Sequence, residues 1–504
     1  MKKILFSSLA AAICAGLCAA VAQSINVTGT TVDRKGKNPL NLMTQTTEFT
    51  VSYADAGQAA AAKVEKLPLY NGKSWAFSAR WDDSNQAHYR MHELMTRYGY
   101  KGTFYLNSAY RGKEMPPFMS HFAKDLCKDG CSVGGHSMTH PRLTEIPRNE
   151  MFREVAKIRL ELEAGTDYPV NSFAFPYGKY RIASDPAAHP DIAEALFRTG
   201  YHHNTYSGFI KPEAGVSPNA VSCVFNILPG DRNTKAENFD RDIAKALQDA
   251  DAQQQNPCMT LGIHVWMKGK DWDEMEAGLK KYAANPDWWY CNQNEYAAYR
   301  YRFFHSVLEK IRQGGNKVTY RLTLPSARYA GAAVPLTLAA PGAVSVDGKD
   351  CELVKSGDRA LINVASATVL PQKIDALETV DGQAISLATD GKRDLPELTM
   401  FLYYDAKAGT LTLKAENTGT TAVERLTARL GLPLVYPGDD HNFELGDLVP
   451  GSSSSYVFKL PKPHHDPVYA SGRQFFFIQT DFDLAGIPAR IYAATEGELE
   501  APAK

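Results

Sequence analysis

Short apolar segments alternate with amphipathic segments from Lys73 to about Arg312, and this alternation limits the fold more than any other feature of the chain. The pairs are Trp75–Trp81 with His88–Tyr98, Lys101–Leu106 with Pro117–Asp129, Ser132–Gly135 with Arg148–Ala164, Ser172–Phe175 with Pro190–Arg198, Thr260–Val265 with Trp272–Ala284, and Trp288–Cys291 with Glu295–Arg312. Strand–helix repeats of this kind predict an α/β domain with a parallel sheet or barrel. In such folds functional residues collect at the carboxyl ends of the strands.

The pattern changes after Gln313-Gly314-Gly315-Asn316, where the helical periodicity stops. Val318–Leu324 and Gly409–Lys414 alternate apolar and polar residues at period two, and the turn-forming segment Gly446–Gly451 precedes Ser452–Leu460. Period-two alternation with turn residues between the segments is typical of β-sandwiches. We therefore predict all-β modules in the last third of the chain.

The N-terminus has the features of a secretory signal. Lys2 and Lys3 precede an apolar run to Val21, and small residues lead up to Gln23, before which we expect cleavage. No later segment has the roughly 18 apolar residues that a membrane span needs, so a periplasmic or secreted protein is expected. The formal net charge of −1 argues against nucleic acid as a partner.

Cysteines could form disulfides in such a compartment. Two of the 8, Cys14 and Cys18, leave with the signal. Cys127 and Cys131 bracket Lys128-Asp129-Gly130 at an apparent helix end, where a turn could bring their Cα atoms within the roughly 4.4–6.8 Å of a disulfide. We predict a bridge between them.

Two groups of candidate catalytic residues follow predicted strands. Asp82 and Asp83 end the first strand, and adjacent carboxylates are costly unless a cation neutralises one of them. His136 and His140 follow the third strand, and on a helical turn a spacing of four places both imidazoles on one face, as a metal pair requires. Either pattern alone is usually structural, but together at strand ends they predict a metal site.

Four motifs in the chain resemble those of the polysaccharide deacetylase, or nodulation-protein-B homology, family of carbohydrate esterases. They are Asp82-Asp83, the His-Ser-Met-Thr-His-Pro-Arg-Leu segment from His136, Phe173-Ala174-Phe175-Pro176-Tyr177-Gly178, and Leu261-Gly262-Ile263-His264. The resemblance covers about Lys73 to Arg312. It implies a distorted (β/α) barrel with fewer than eight regular units and a divalent metal that is usually zinc, sometimes cobalt or nickel.

With the resemblance, the expected organisation becomes specific. We predict a signal peptide at 1–22, a β-rich lead-in at 23–72, a polysaccharide deacetylase domain at 73–315, a β-rich linking module at 316–395 and an immunoglobulin-like β-sandwich at 396–504.

Carried over to this sequence, the resemblance assigns roles to individual residues. Asp83, His136 and His140 would bind the metal, and Asp82 would be the general base. The backbone N–H of Tyr177 would stabilise the oxyanion, and His264 would protonate the departing amine or alcohol. As a strand-end histidine, His264 could equally be satisfied by a backbone carbonyl.

Other residues of these motifs are candidates for substrate binding. Pro176, Tyr177 and Trp266 would line the sugar site, while Leu261 and Ile263 would flank the acetyl methyl or pack in the core. Aromatic residues at such places also commonly fill cores. His202 and His203 follow a further strand and are candidates for the surroundings of the metal.

The chain departs from the family pattern at three places. Position 174 is Ala where Arg is common, Ser84 follows the acidic pair where Gly is usual, and a Trp-bearing fourth motif is not recognisable. Arg80 stands two residues before Asp82, so both side chains should project from the same face of the strand. Arg80 either takes over the work of the missing arginine or pairs elsewhere.

These observations together indicate a hydrolase that removes N- or O-acetyl groups from a polysaccharide or glycan. Two alternatives remain open. The same site could hydrolyse an amide that is not part of a glycan, or the chain could be a relative that binds glycans without turning them over.

Overall fold

The computed structural model describes the larger part of the chain. The described residues are 22–27, 44–110, 113–114, 123–166, 168–179, 190–205, 226–227, 235–249, 253, 257–326, 332–365, 387–388, 392–394, 398–437 and 441–500. The predicted signal peptide therefore lies almost entirely outside them. In the part of the chain that the structure describes, no helix has both the length and the apolar character to cross a membrane.

Strands are the commoner element in the described ranges. They are β1 (Gln23–Asn26), β2 (Thr44–Tyr53), β3 (Glu65–Lys66), β4 (Trp75–Asp82), β5 (Thr103–Leu106), β6 (Ala109–Tyr110), β7 (Lys113–Glu114), β8 (Ser132–Gly135), β9 (Ser172–Ala174), β10 (His203–Thr205), β11 (Asn226–Ile227), β12 (Cys258–Leu261), β13 (Trp288–Tyr290), β14 (Val307–Gly314), β15 (Lys317–Pro325), β16 (Leu336–Ala339), β17 (Ala343–Asp347), β18 (Cys351–Ser356), β19 (Arg359–Val364), β20 (Leu387–Ala388), β21 (Lys392–Asp394), β22 (Leu398–Asp405), β23 (Thr410–Asn417), β24 (Val423–Gly431), β25 (His441–Leu448), β26 (Ser453–Lys459), β27 (Arg473–Leu484) and β28 (Ile487–Glu498).

Helices occur mainly between residues 88 and 305. The α-helices of the described ranges are α1 (Ala56–Ala61), α2 (His88–Arg97), α3 (Ala123–Lys128), α4 (Arg148–Thr166), α5 (Pro190–Thr199), α6 (Ala236–Gln248), α7 (Asp271–Tyr282), α8 (Gln293–His305) and α9 (Pro467–Ala470).

A parallel sheet forms the α/β part of the molecule, as the strand–helix alternation predicts. Its strand order is β10-β9-β8-β5-β4-β12-β11, and β13 pairs with the first half of β4. All eight residues of β4 are buried, because strands and helices cover both of its faces. The predicted barrel is thus present as a parallel half-barrel sheet, and β4, which ends in Asp82, lies near its centre.

The last helix of the α/β domain, predicted at Glu295–Arg312, is shorter in the structure than the sequence pattern suggests. Helix α8 ends at His305, and Val307–Gly314 is instead strand β14, which forms an antiparallel hairpin with β15. Gly315, with φ of 56°, makes the turn. The predicted boundary at 315–316 coincides with the turn of this hairpin.

Two antiparallel sheets follow the half-barrel. Their orders are β14-β15-β2-β17 and β18-β19-β16-β3, so the lead-in strands β2 and β3 pair with strands more than 200 residues later in the chain. Val318–Leu324, predicted as a strand, lies within β15. Side chains of both sheets share a core with the start of α8, including Phe49, Tyr296, Leu322 and Leu338.

The C-terminal region contains two five-stranded sheets. Their orders are β1-β26-β23-β22-β21 and β20-β28-β27-β24-β25. Leu402 and Leu413 of the first sheet and Leu430 and Ile478 of the second belong to one buried apolar cluster. The period-two segment Gly409–Lys414 and the segment Ser452–Leu460 after the predicted turn both contain strands, as expected, and the two sheets share one core.

Buried charges connect this C-terminal region to helix α4. Glu163 of α4 is fully buried. Its carboxylate lies 3.2 Å from Arg159 Nη2 and accepts a 2.5 Å hydrogen bond from Tyr492 Oη of β28. Arg490 Nη1 lies 3.8 Å from the same carboxylate. The apolar part of the contact includes Phe152 of α4, whose ring stacks on Phe477 of β27. The C-terminal sheets therefore pack against the α/β domain through both polar and apolar contacts.

The predicted disulfide between Cys127 and Cys131 is wrong. Cys131 is a free cysteine, and both residues are buried in the core of the α/β domain. The chain closes the end of α3 through backbone hydrogen bonds, with Cys131 N donating to Leu126 O and Gly130 N to Cys127 O. Burial raises the pKa of the Cys131 thiol to about 12, so this cysteine is an apolar core residue.

Candidate functional site

The end of strand β4 places two carboxylates at the carboxyl edge of the half-barrel. Asp82 is the last residue of the strand, and its side chain is 3% exposed. The backbone then turns sharply, because Asp83 and Ser84 have φ of 78° and 37°. Left-handed backbone is rare outside glycine, and here it directs neighbouring carboxylates to different partners.

The second cluster is a loop after β8 and not the helical turn expected from the spacing of its histidines. No residue from His136 to His140 is helical, and Ser137 and His140 both have φ of 62°. Ser137 Oγ accepts a 3.0 Å hydrogen bond from His140 N, which closes the loop. The two imidazoles still meet, with ring centroids 4.9 Å apart, because the loop and not a helix brings them together.

Asp83, His136 and His140 converge as the sequence predicts. Asp83 Oδ1 lies 3.3 Å from His136 Nε2 and 3.1 Å from His140 Nε2, and the candidate ligand atoms all lie within 4.8 Å of one another. These separations suit ligands of one tetrahedral ion bound at roughly 2.0–2.2 Å. Among the described residues, this is the group of acidic, cysteine and histidine side chains that could hold a metal ion.

The hydrogen bond of His136 determines which ring nitrogen faces Asp83. His136 Nδ1 lies 2.8 Å from the carbonyl oxygen of Ala174, and a carbonyl can only accept, so Nδ1 carries the proton. In the neutral ring, Nε2 then directs a lone pair at Asp83. Asp83 Oδ1 is itself buried without a well-formed hydrogen bond among the described residues. Facing lone pairs of this kind fit a cation between them, and a carbonyl behind the imidazole is the usual support of a metal-bound histidine.

The charge state of Asp83 agrees with this arrangement. Burial by itself raises the pKa of the carboxyl group. Hydrogen bonds from protonated rings of His136 and His140, and the charges of His136 and His264, outweigh burial and keep that pKa well below its usual range, and a cation held between neutral rings would act in the same direction. Asp83 is therefore ionised at neutral pH, as a metal ligand must be.

Arg80 makes the contact with Asp82 that the strand geometry predicts. Its Nε lies 3.0 Å from Asp82 Oδ1 and its Nη2 lies 2.6 Å from Oδ2, so the pair is bidentate, and both residues are buried. The guanidinium also lies 5.8 Å from the ring centre of Tyr105. The alternative, in which Arg80 pairs elsewhere, is wrong, and the carboxylate has an arginine partner although position 174 is Ala.

His264 approaches the cluster from the end of β12. Its Nε2 lies 3.5 Å from Asp83 Oδ2, and its ring stacks on Trp266 at 3.9 Å with an angle of 3°. Gly262 makes this approach possible, because its φ is 78° and an added Cβ would come within 2.1 Å of the Trp81 ring. The carbonyl of Ile263 accepts a 2.7 Å hydrogen bond from Asp82 N, which fixes the segment beside β4.

The remaining predicted residues fall into exposed and buried groups. Tyr177 is 54% exposed, and its ring centroid lies 4.6 Å from that of His140, while Trp266 is 39% exposed and stacks on His264. Pro176 is buried and Ile263 is half-buried. Leu261 is fully buried in the core, which favours its packing role over contact with an acetyl group.

His203 is not part of the metal surroundings. Its Nε2 hydrogen-bonds Asn294 Oδ1 at 2.8 Å, near the start of α8, and burial lowers the pKa of His203 to about 4. His202 is half-buried, and its backbone N–H donates to Asn171 O. A histidine near a strand end is therefore insufficient to identify a site residue here.

Two residues outside the sequence motifs, Glu154 and Asn107, stabilise the ligand loops. Glu154 of α4 accepts hydrogen bonds from Thr139 N at 2.9 Å and Thr139 Oγ1 at 2.7 Å, which attaches the histidine loop to the helix. Asn107, directly after β5, contacts the same loop. The strand-end rule could have found Asn107, but nothing near Glu154 in the sequence links it to residue 139.

A separate cavity of about 390 Å³ lies away from this cluster. Lys101, Ser132, Trp289 and Glu295 are among its lining residues, which places it near the amino ends of β5 and β8. None of the predicted site residues lines it. The chemistry of the α/β domain therefore belongs to the carboxyl edge, where the acidic and histidine residues meet.

Several solved structures are similar to the chain. Peptidoglycan deacetylase PdaC from Bacillus subtilis has 17% identity and a TM-score of 0.29, over 45% of this chain and 91% of that one. The Xyl-CE4 domain of a multidomain xylanase from the hindgut metagenome of Trinervitermes trinervoides has 15% identity and a TM-score of 0.30, over 46% of this chain and 89% of that one. A family 4 carbohydrate esterase from Streptomyces lividans, in complex with acetate, has 11% identity and a TM-score of 0.27, over 42% of this chain and 86% of that one.

No curated protein matches the chain. The family model for polysaccharide deacetylase matches residues 74–190, a range that contains the acidic pair, both loop histidines and the Pro176–Gly178 turn. Over residues 74–190 the chain is therefore similar to the polysaccharide deacetylase family.

Proposed function

We propose that the protein is an exported, divalent-metal-dependent hydrolase that removes acetyl groups from a glycan. The match of residues 74–190 to the polysaccharide deacetylase family model supports the reaction class. The observation that carries the metal dependence is the pair of facing lone pairs on His136 Nε2 and Asp83 Oδ1, 3.3 Å apart. Export rests on the signal-like N-terminus alone.

The metal would be held by Asp83, His136 and His140, and zinc is the ion that this donor set suits best. When bound, such an ion supplies Lewis-acid chemistry, which favours loss of a proton from water and polarises a carbonyl. Two imidazoles and one carboxylate leave positions open for water and substrate, which a catalytic site needs and a closed structural site lacks.

The neighbouring residues would move the protons. Asp82 would accept the proton of the attacking water, and Arg80 would keep its carboxylate in one orientation through two hydrogen bonds. His264, stacked on Trp266 across the cluster, would donate a proton to the leaving nitrogen or oxygen. The backbone N–H of Tyr177 would stabilise the developing oxyanion.

The surroundings of the cluster suit a sugar substrate. Tyr177 and Trp266 are exposed aromatic rings, and each packs against one of the histidines of the cluster, Tyr177 against His140 and Trp266 against His264. Aromatic faces of this kind stack on the apolar faces of sugar rings. We further propose that the two C-terminal five-stranded sheets form a β-sandwich, since their side chains fill one core.

A panel of acetylated substrates tests the proposal. Acetate release would be measured from chitooligosaccharides, peptidoglycan fragments and acetylated xylan. Release from at least one of them is expected. Release of a different acid or of ammonia from a non-glycan amide would favour the amide-hydrolase alternative, and binding without any release would favour a non-catalytic glycan-binding protein.

Changing Arg80→Met is expected to cut turnover by about 10- to 100-fold, on the scale of general-base contributions. The methionine preserves much of the buried volume but leaves the Asp82 carboxylate without its bidentate partner. Steady-state kinetics with metal analysis checks the result, because zinc content should stay close to one ion per chain. Arg80→Lys serves as the matched control and should recover only part of the rate, since an ammonium cannot make the planar two-point contact. Undiminished acetate release by Arg80→Met would contradict the role.

A further inference from the structure

A serine and an asparagine connect the two loops that carry the candidate metal ligands. Ser84 directly follows Asp83, and its Oγ accepts a 2.7 Å hydrogen bond from Asn107 N and donates to Asn107 O at 3.2 Å. Asn107 Nδ2 donates in turn to the carbonyls of His136 and Ser137, the latter at 2.9 Å. Both side chains are buried, so no water competes for these contacts.

Ser84 occupies a backbone conformation that favours glycine. Its φ of 37° falls in the left-handed region, where a side chain costs roughly 1 kcal/mol or more relative to glycine. Two hydrogen bonds to Asn107 offset that cost, because each buried hydrogen bond contributes roughly 0.5–1.5 kcal/mol. A glycine at this position could not make these two hydrogen bonds, so the serine side chain is what connects this turn to Asn107.

Asn107 acts through the donor side of its amide. Its two Nδ2 hydrogens bind successive carbonyls of the histidine loop, whereas Oδ1 is buried and accepts no hydrogen bond among the described residues. An orphaned amide oxygen is costly, so the donor contacts must outweigh it. They hold the loop at Ser137, where φ is 62°, and Ser137 Oγ accepts the hydrogen bond from His140 N.

We propose that the Ser84–Asn107 pair positions the metal ligands and sets the affinity of the site for its ion. The pair joins the backbone next to Asp83 to the backbone of His136, so it fixes the distance between ligands from two different strand ends. The inference rests on the proposed metal dependence. Residues of this kind contact ligand backbones and not the ion, and losing one typically costs about 10- to 100-fold in metal affinity.

Zinc affinity, measured by competition with a chromogenic chelator on the full-length protein, tests the pair without any substrate. Asn107→Ala and Ser84→Gly should each weaken zinc binding by about 10- to 100-fold. The double variant should lose little more than the stronger single variant, because both changes break one connection. Ser84→Gly decides the question if Asn107→Ala does not fold, since glycine suits this backbone.

Asn417→Ala is the matched control. Asn417 is also a buried asparagine, and its Nδ2 donates to two backbone carbonyls, Thr421 O and Leu448 O, both at 2.8 Å. It lies in the C-terminal sheets, so its loss should lower thermal stability and leave zinc affinity unchanged. A general loss of stability cannot then be mistaken for an effect on the site.

Two results would contradict the positioning role of Ser84 and Asn107 without contradicting the proposed metal dependence. One is wild-type zinc affinity in both Asn107→Ala and Ser84→Gly, and the other is an equal loss of affinity in Asn417→Ala. A wild-type protein that binds none of zinc, cobalt or nickel would overturn the proposed metal dependence and the positioning role together.

Discussion

Replacing Asp82 with Asn is expected to lower the rate of acetate release by about 10²- to 10⁴-fold, the range typical of general acid–base groups. The amide has nearly the same shape as the carboxylate but cannot accept a proton from water. Asp82 is buried and its two oxygens face Arg80, whereas the neighbouring carboxylate of Asp83 faces the two loop histidines.

The measurement must separate loss of the base from loss of the metal. Asp82→Asn should retain zinc, whereas Asp83→Asn should lose both zinc and activity, because Asp83 is the carboxylate that faces both loop histidines. Turnover by Asp82→Asn within a few-fold of the wild type would remove Asp82 from the mechanism. Loss of zinc in both variants would mean that the two carboxylates have no separate roles.

Changing Glu163→Gln is expected to reduce the free energy of unfolding by about 3–5 kcal/mol, the cost of removing one partner from a buried ion pair. The carboxylate accepts hydrogen bonds from Val170 N and Tyr492 Oη and faces two buried arginines, Arg159 and Arg490. The amide cannot balance those charges. Denaturant unfolding, followed by both tryptophan fluorescence and circular dichroism, measures the loss.

Glu48→Gln is the control for this experiment. Glu48 pairs with Arg321 at 2.7 Å, but both side chains are about half exposed, so its loss should cost at most about 1 kcal/mol. Equal effects of the two substitutions would contradict the buried network. An unchanged unfolding curve for Glu163→Gln would also mean that the C-terminal sheets do not depend on their contact with α4.

The sequence predicts the parts of this molecule that depend on short spacing. The half-barrel follows from strand–helix alternation, and the contact between Arg80 and Asp82 follows from their separation of two residues on one strand. The convergence of Asp83 with the loop histidines follows from the rule that carboxyl ends of parallel strands meet at one edge.

The wrong predictions concern segments in which tertiary contacts override the secondary structure that the local sequence pattern suggests. A spacing of four between His136 and His140 suggests a helix, yet hydrogen bonds from Asn107 and to Ser137 stabilise an irregular loop. The end of α8 is missed because Val307–Gly314 pairs with β15, and helical and strand patterns overlap there. Contacts such as Glu163 with Tyr492, which are 329 residues apart, leave no local signal at all.

Acetate release by metal-free and zinc-reconstituted protein tests the central claim most directly. Chelation should abolish release from an acetylated glycan, and stoichiometric zinc should restore it in the wild type but not in the Asp83→Asn variant. Full activity of the metal-free protein, or restoration of Asp83→Asn by zinc, would contradict a catalytic metal held by Asp83, His136 and His140.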